Sequence, residues 1–112
     1  MTSVTILHEA EIELWQAVEF YENRCAGLGL DFEKEIKAAL ELIRQSPRRW
    51  PIHKDDTRQY LVHRFPYFVV YVLHKDHVWI IAFAHCRRRP AYWSGRSKRA
   101  EPRYGHGHKG EN

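Results

Sequence analysis

Residues 67–85 read YFVVYVLHKDHVWIIAFAH, a near-continuous run of β-branched and aromatic residues. Such residues favour β-strands because their side chains pack well on a pleated surface. The dipeptide Lys75-Asp76 interrupts the run and predicts a tight turn, although the glycine usual in a two-residue hairpin loop is missing. The stretch therefore predicts two antiparallel strands, over residues 67–74 and 77–85.

Alternate residues of the second strand form two sets that are both largely apolar. The first set is Val78, Ile80, Ala82 and Ala84, and the second is Trp79, Ile81, Phe83 and His85. Successive residues of a strand point to opposite faces of the sheet. We therefore expect a central strand that is covered on both faces.

Two amphipathic helices precede these strands. The first begins near Glu9 and spans roughly sixteen residues. Gly27 and Gly29 separate it from the second, which extends over about residues 30–45 and ends before Pro47. Glutamates lie opposite the apolar stripes, and we interpret them as solvated. The stripes comprise Leu14, Val18, Tyr21 and Cys25 in the first helix and Phe32, Ile36, Ala39, Leu40 and Ile43 in the second.

Two further strands are predicted, by a short apolar opening around Val4 and Ile6 and by a loosely alternating segment at residues 58–64. The predicted fold is α+β: an N-terminal strand, a two-helix antiparallel hairpin and then a three-stranded antiparallel sheet, with the hairpin packed on one sheet face. The predicted domain comprises residues 1–96. Residues 97–112 are polar, basic and punctuated by glycine, and they predict a flexible tail.

Composition excludes several classes of protein. The 112 residues are 44% hydrophobic and include 4 Trp, 6 Tyr and 5 Phe, which is enough for one core. No apolar run approaches the ~18 residues of a membrane span, and no secretory signal is visible. The two cysteines are isolated, so we expect a reduced, cytoplasmic protein without a membrane partner. No nucleophile arrangement, phosphate loop or dinucleotide fingerprint is present, and we predict neither cofactor nor metal.

Charge is distributed unevenly along the chain. Residues 1–47 contain nine acidic and four basic residues, whereas residues 48–112 contain fourteen basic and five acidic residues. The second half therefore predicts a surface that attracts polyanions. Ordinary charge that keeps the protein soluble is an equal alternative.

The basic character is strongest at residues 85–96, which read HCRRRPAYWSGR. Arginine forks match phosphate oxygens, and aromatic faces stack unpaired bases at ~1–3 kcal/mol each, so the run indicates a nucleic-acid-binding surface. Alternatively, the arginines are a solvated run and Trp93 folds back onto the core. His85 could transfer protons near neutral pH or have a structural role. The upstream bases that could join this face are Arg48, Arg49, Lys54, Arg58 and Arg64.

Several spaced motifs resemble the RelE/ParE superfamily of toxins from type II toxin–antitoxin modules. The motifs are FYE at residues 20–22, GLG at 27–29 followed by Phe32, a helix that ends at Pro47, RFPYFVVY at 64–71 and AHCRRRPAYW at 84–93. The resemblance extends over residues 4–96 and implies a small antiparallel sheet packed against a helical hairpin. It also implies a cognate antitoxin that masks the active surface, and contact with operator DNA only indirectly through that antitoxin.

The superfamily divides in activity. RelE-like members cut messenger RNA in the ribosomal A site without a metal, using basic residues and a late tyrosine, whereas ParE-like members inhibit DNA gyrase. The catalytic candidates implied by the resemblance are Arg88, Tyr92, His85 and Arg87. The nucleic-acid-binding candidates are Arg58, Arg64, Arg87, Arg88, Arg89 and Trp93.

Phe68 bears on the choice between these activities. Nuclease members have an arginine directly after the strand tyrosine, and a phenyl ring cannot bind phosphate as arginine does. A neighbouring base, Arg64 or Arg58, could substitute. The sequence therefore favours a toxin directed at gyrase over a messenger-RNA endonuclease, with an inactive partner- or nucleic-acid-binding module as a third alternative.

Overall fold

A helical hairpin packs on one face of a four-stranded sheet in the computed structural model, which describes residues 2–96. The elements are β1 (Ser3–Ile6), α1 (His8–Arg24), α2 (Leu28–Gln45), a short 3-10 turn (Lys54–Asp56), β2 (Thr57–Leu61), β3 (Tyr67–His74) and β4 (His77–His85). This order confirms the predicted α+β fold. The tail predicted for residues 97–112 lies outside the described residues.

The strands lie in the order β1-β4-β3-β2. β3 is antiparallel to both β2 and β4, as predicted, and β4 is internal to the sheet. β1 pairs with β4 in parallel, from Ser3 opposite His77 to Ile6 opposite Ile80. The sequence itself predicts no such pairing. It arises because the hairpin of α1 and α2 carries the chain across the sheet face before the antiparallel strands begin.

The β3–β4 turn forms without glycine because two ordinary residues take left-handed conformations. Lys75 has φ 50° and Asp76 has φ 62°. Positive φ at both central positions defines the type I′ turn, whose twist matches that of the two strands it joins. The long, apolar strands therefore determine the hairpin, and the turn residues accept the backbone conformation that it requires.

α1 buries fewer residues of its predicted apolar stripe than the sequence suggests. α1 buries Ala10, Leu14 and Ala17, whereas Cys25 follows the last helical residue and is exposed. Glu22 has a structural role although it is exposed, as predicted. Glu22 accepts hydrogen bonds from the backbone N–H groups of Gly27 and Gly29, at 2.9 and 3.0 Å, and so caps the start of α2.

A β-bulge corrects the predicted alternation of β4. Tyr71 of β3 lies opposite Ile80 and Val70 lies opposite Ala82, so Ile81 is an extra residue in β4. As a result, Val78, Ile80 and Phe83 pack on the helix side of the sheet, whereas Ile81, Ala82 and Ala84 pack on the other side. The prediction that both faces of this strand are covered is confirmed, because the six apolar residues just named are 0–2% exposed.

Tyr71 links the centre of the sheet to the end of the helical hairpin and carries a pH-dependent part of the stability. It is fully buried, and its hydroxyl donates a hydrogen bond of 2.7 Å to the carbonyl of Pro47. Burial raises the pKa of Tyr71 to about 12, against a small opposing effect of Arg58. The folded state thus favours the neutral phenol, whereas the unfolded chain ionises near pH 10.

We expect the free energy of unfolding to fall as the pH rises from about 10 to about 12, and Tyr71→Phe to flatten part of this fall. At pH 7 the same substitution costs about 1–2 kcal/mol, because the Pro47 carbonyl loses its buried donor. Urea unfolding across this pH range measures both effects, with Tyr60→Phe as the control on β2. An alkaline slope that Tyr71→Phe leaves unchanged would contradict this assignment.

Candidate functional site

A cavity of about 320 Å³ opens on the sheet face opposite the helices. The segment after β4, residues 86–96, forms one wall, and we call this the C-terminal segment. We call the space the basic cavity. Its apolar part includes Phe68, Ala84 and Trp93, and its polar rim includes His53, Lys54, His85 and Arg88.

The arginine run lies at the mouth of the basic cavity. Arg87, Arg88 and Arg89 are all exposed. A tight turn after β4 directs them outward, because the backbone N–H of Arg88 donates to the carbonyl of His85 at 2.9 Å. The guanidinium of Arg88 lies 3.9 Å from the ring centroid of Tyr92, which is a close cation–π contact. Arg88 also lines a second cavity of about 210 Å³ on the α1 side of the sheet.

His85 lines both cavities and has a defined hydrogen-bonding arrangement. Its Nδ1 accepts the backbone N–H of Arg87 at 3.0 Å, so the neutral ring carries its proton on Nε2. The ring packs edge-on against Tyr67 at 5.1 Å between centroids. Its Nε2–H is thus the group that can donate to a bound anion.

Trp93 folds back onto the core. It is 8% exposed and packs with Val70, Val72 and Ile81 on the face opposite the helices. This is the alternative interpretation of the sequence, and it corrects the assignment of Trp93 as a base-stacking residue. The side chain contributes apolar surface to the basic cavity and holds the C-terminal segment against the sheet.

Glu13 joins α1, β4 and the C-terminal segment at one carboxylate. Its Oε1 accepts the backbone N–H of Phe83 at 3.0 Å. Its Oε2 accepts the hydroxyl of Tyr92 at 2.7 Å and pairs with Nη2 of Arg96 at 2.9 Å. The Glu13 side chain is only 11% exposed, which corrects the prediction that it belongs to a solvated face.

The sequence contained a usable signal for Glu13. The residue follows Ala10 by three positions and precedes Ala17 by four, so it lies on the same side of α1 as these buried alanines. An acidic residue in a row of buried small residues needs a donor, because an unpaired buried charge is costly. Arg96, its partner, was not singled out because a single arginine in a polar stretch carries no pattern.

The hydroxyl of Tyr92 is engaged in the hydrogen-bond network around Glu13. Its hydroxyl proton is donated to Glu13, and its pKa is raised first by burial and then by the hydrogen bond to that carboxylate, despite the opposing charges of Arg88 and Arg96. The Tyr92 phenol is therefore neutral at physiological pH, and its proton is held in the hydrogen bond to Glu13. This geometry fits a structural part for Tyr92 better than the catalytic one implied by the family resemblance.

Two predicted phosphate ligands lie away from the basic cavity. Arg58 donates to the carbonyls of Arg48 and Trp50 and so fixes the loop that precedes β2. Arg64 pairs with Asp31 of α2 at 3.7 Å. Of the upstream bases that were expected to join the arginine run, Lys54 alone lines the cavity among the described residues.

Two general features complete the description of residues 2–96. Within this range, no three His, Cys, Asp or Glu side chains are grouped closely enough to hold a metal ion. Neither helix has the length and apolar composition that crossing a membrane requires.

Comparison with known proteins identifies the architecture. The sequence matches no family model and no curated protein. Among solved structures, the chain is similar to one from the chromosomal ParDE toxin–antitoxin system of P. aeruginosa, with a TM-score of 0.68 and 15% sequence identity. The similarity covers 76% of this chain and 96% of that chain. The chain therefore shares the fold of that structure, which is the fold that its sequence motifs imply.

Proposed function

We propose that this chain is the toxin of a type II toxin–antitoxin module that inhibits growth by binding DNA gyrase, and that a cognate antitoxin neutralises it by covering the basic cavity. The observation that carries the proposal is that Arg88 lines the cavity, with Arg87 and Arg89 exposed beside it in the chain, while the hydroxyl of Tyr92 is bound to Glu13. The toxin fold makes this class of function the first to consider.

The geometry supports binding over cutting. Attack of a ribose 2′-hydroxyl on its own phosphate needs groups that take up and deliver protons. Tyr92 is committed to Glu13, and burial raises the pKa of Tyr67 to about 12, so neither phenol serves as a base near pH 7. Phe68 lines the cavity where a nuclease would gain from a cation. The exposed arginines can still bind carboxylates or phosphates with charge-assisted hydrogen bonds.

A supercoiling assay with purified gyrase tests this proposal. We expect the protein to inhibit supercoiling in a dose-dependent manner and the antitoxin encoded beside it to restore the reaction. Normal supercoiling with the protein in excess would refute gyrase as the target. Growth that continues normally on induction would refute toxicity itself and would favour an inactive binding module.

Ribosome-dependent cleavage of messenger RNA is the second candidate, and the arrangement of His85 favours it. The Nε2–H group can donate a hydrogen bond to the oxygen on which negative charge develops, and the Arg88 side chain that lines the same cavity can stabilise the phosphate, so that water can supply the proton to the leaving oxygen. Mapping of messenger 5′ ends after induction separates the two functions. New ends in the ribosomal A site, with unchanged DNA supercoiling, would replace the gyrase proposal by this one.

The proposed antitoxin has chemistry that complements this surface. Arg88 and Lys54 line the cavity beside one acidic residue, Asp55, and Arg87 and Arg89 are exposed next to Arg88. An acidic or amphipathic segment that folds on binding therefore fits this surface best. Contact with operator DNA is then indirect, through the antitoxin. Loss of co-purification when Arg87, Arg88 and Arg89 are replaced by glutamate would support this surface as the docking site.

A further inference from the structure

The carboxylate of Glu13 anchors the C-terminal segment to the helical layer. Tyr92 and Arg96 both bind its Oε2, at 2.7 and 2.9 Å. Two oxygens of this carboxylate thus serve three donors, one from β4 and two from the C-terminal segment. Such a shared acceptor fixes the positions of all its donors relative to one another.

The early end of β1, at the level of the bulge in β4, explains why β4 needs the contacts that Glu13 and Arg96 provide. β1 ends at Ile6, opposite Ile80, so the following backbone groups of β4 have no strand beside them on that edge. Glu13 accepts from the N–H of Phe83, and Nη1 of Arg96 donates to the carbonyl of Ile81 at 3.2 Å. The ion pair therefore substitutes for a missing strand and satisfies backbone groups that would otherwise be unpaired.

Arg88 depends on this anchor through an aromatic ring. Its guanidinium rests 3.9 Å from the centroid of Tyr92, and the guanidinium of Arg96 lies 5.1 Å from the same centroid. The Tyr92 hydroxyl holds that ring to Glu13. A cation over an aromatic face is directed by the plane of the ring, so rotation of the ring would redirect the guanidinium.

We infer that Glu13 is a positioning residue, which acts through the hydroxyl of Tyr92 to set the direction in which Arg88 is presented at the mouth of the basic cavity. The inference rests on the proposed function only in taking Arg88 as a residue that contacts the target. Arg96 balances the charge of the carboxylate and joins it to the bulge. A plain stabilising ion pair between Glu13 and Arg96 would require neither the Tyr92 hydroxyl nor the stacked arginine.

Nuclear magnetic resonance of the arginine Nε–Hε groups measures the position of Arg88 directly, because a ring current shifts a group that lies over an aromatic face. In the wild-type protein we expect the Arg88 signal to be displaced from those of Arg87 and Arg89. Glu13→Gln retains the size of the side chain and one acceptor oxygen, and we expect the Arg88 signal to move to the range of its two neighbours. Glu19→Gln, at an exposed position of the same helix, leaves it unchanged.

Tyr92→Phe provides the second variant, because it keeps the ring and removes the hydroxyl through which Glu13 acts. We expect the Arg88 signal to lose its displacement in this variant too. If Glu13→Gln does not fold, Tyr92→Phe alone tests the inference. An Arg88 signal that stays displaced in the folded variants would overturn the inference.

Growth inhibition supplies the functional measurement. We expect Glu13→Gln and Tyr92→Phe each to weaken inhibition about tenfold, and Glu19→Gln to match the wild type. Full potency in a variant whose Arg88 signal has moved would also overturn the inference. A wild-type protein that does not inhibit growth refutes the proposed function alone, and the Arg88 signals then decide the positioning role.

Discussion

Simultaneous replacement of Arg87, Arg88 and Arg89 by alanine is expected to abolish growth inhibition while the protein remains folded. All three side chains are exposed, so each loss changes the free energy of unfolding by about 0.5 kcal/mol, and by up to about 1 kcal/mol at Arg88 because of its contact with Tyr92. Each charge-assisted hydrogen bond to a partner contributes about 1.5–3 kcal/mol. Removal of three such groups therefore weakens target binding by about a thousandfold or more.

The matched control carries the same change of charge on another surface. Lys34, Lys37 and Arg49 are also exposed, and none lines either cavity described above. We expect their triple alanine variant to inhibit growth as the wild type does. Equal loss of inhibition in both triple variants would show that net charge alone is responsible, and full inhibition by the first variant would remove the arginine run from the site. Induction from a titratable promoter, with matched protein levels, provides the measurement.

The sequence predicted the elements of this fold because their signals are local. The helical stripes repeat within each helix, and the apolar run at residues 67–85 identifies two strands regardless of what surrounds them. The parallel pairing of β1 with β4 joins Ser3 to His77, and nothing near Ser3 indicates that partner. The bulge at Ile81 is likewise invisible, because an extra apolar residue in an apolar strand leaves the composition unchanged.

The candidate site was predictable to the same extent. The arginine run is contiguous, and its central residue, Arg88, lines a cavity with His85. The hydrogen bond that occupies Tyr92 was not predictable, because its acceptor, Glu13, lies 79 positions away on a helix where Glu11 and Glu19 are exposed. Long-range polar contacts therefore decided which of the chemically capable residues remain free to act.

Gly29→Ala is expected to destabilise the helical hairpin strongly. A Cβ at this position lies 2.5 Å from the backbone carbonyl oxygen of Val18 and 2.9 Å from Cβ of Glu22. This oxygen is part of the backbone of α1 and cannot rotate away as a side chain could, so the two helices must separate. The movement also pulls the Gly29 N–H from the Glu22 carboxylate that caps it at 3.0 Å.

We expect a net loss of about 2–3 kcal/mol, because overpacking and the lost cap outweigh the better helix propensity of alanine. For a domain of this size, that loss lowers Tm by roughly 10–20 °C. Thermal unfolding followed by circular dichroism measures it.

Gly27→Ala is the control that separates packing from backbone strain. Gly27 has φ +89° and open space around its Cα, so alanine there costs only the strain of a left-handed conformation, about 1–2 kcal/mol. Gly29 has no such backbone requirement, and its cost arises wholly from the close approach of α1 and α2. A larger loss for Gly27→Ala than for Gly29→Ala would mean that the hairpin can open to admit a methyl group. In that case the contact between α1 and α2 is not close enough to fix the position from which Glu13 holds the C-terminal segment.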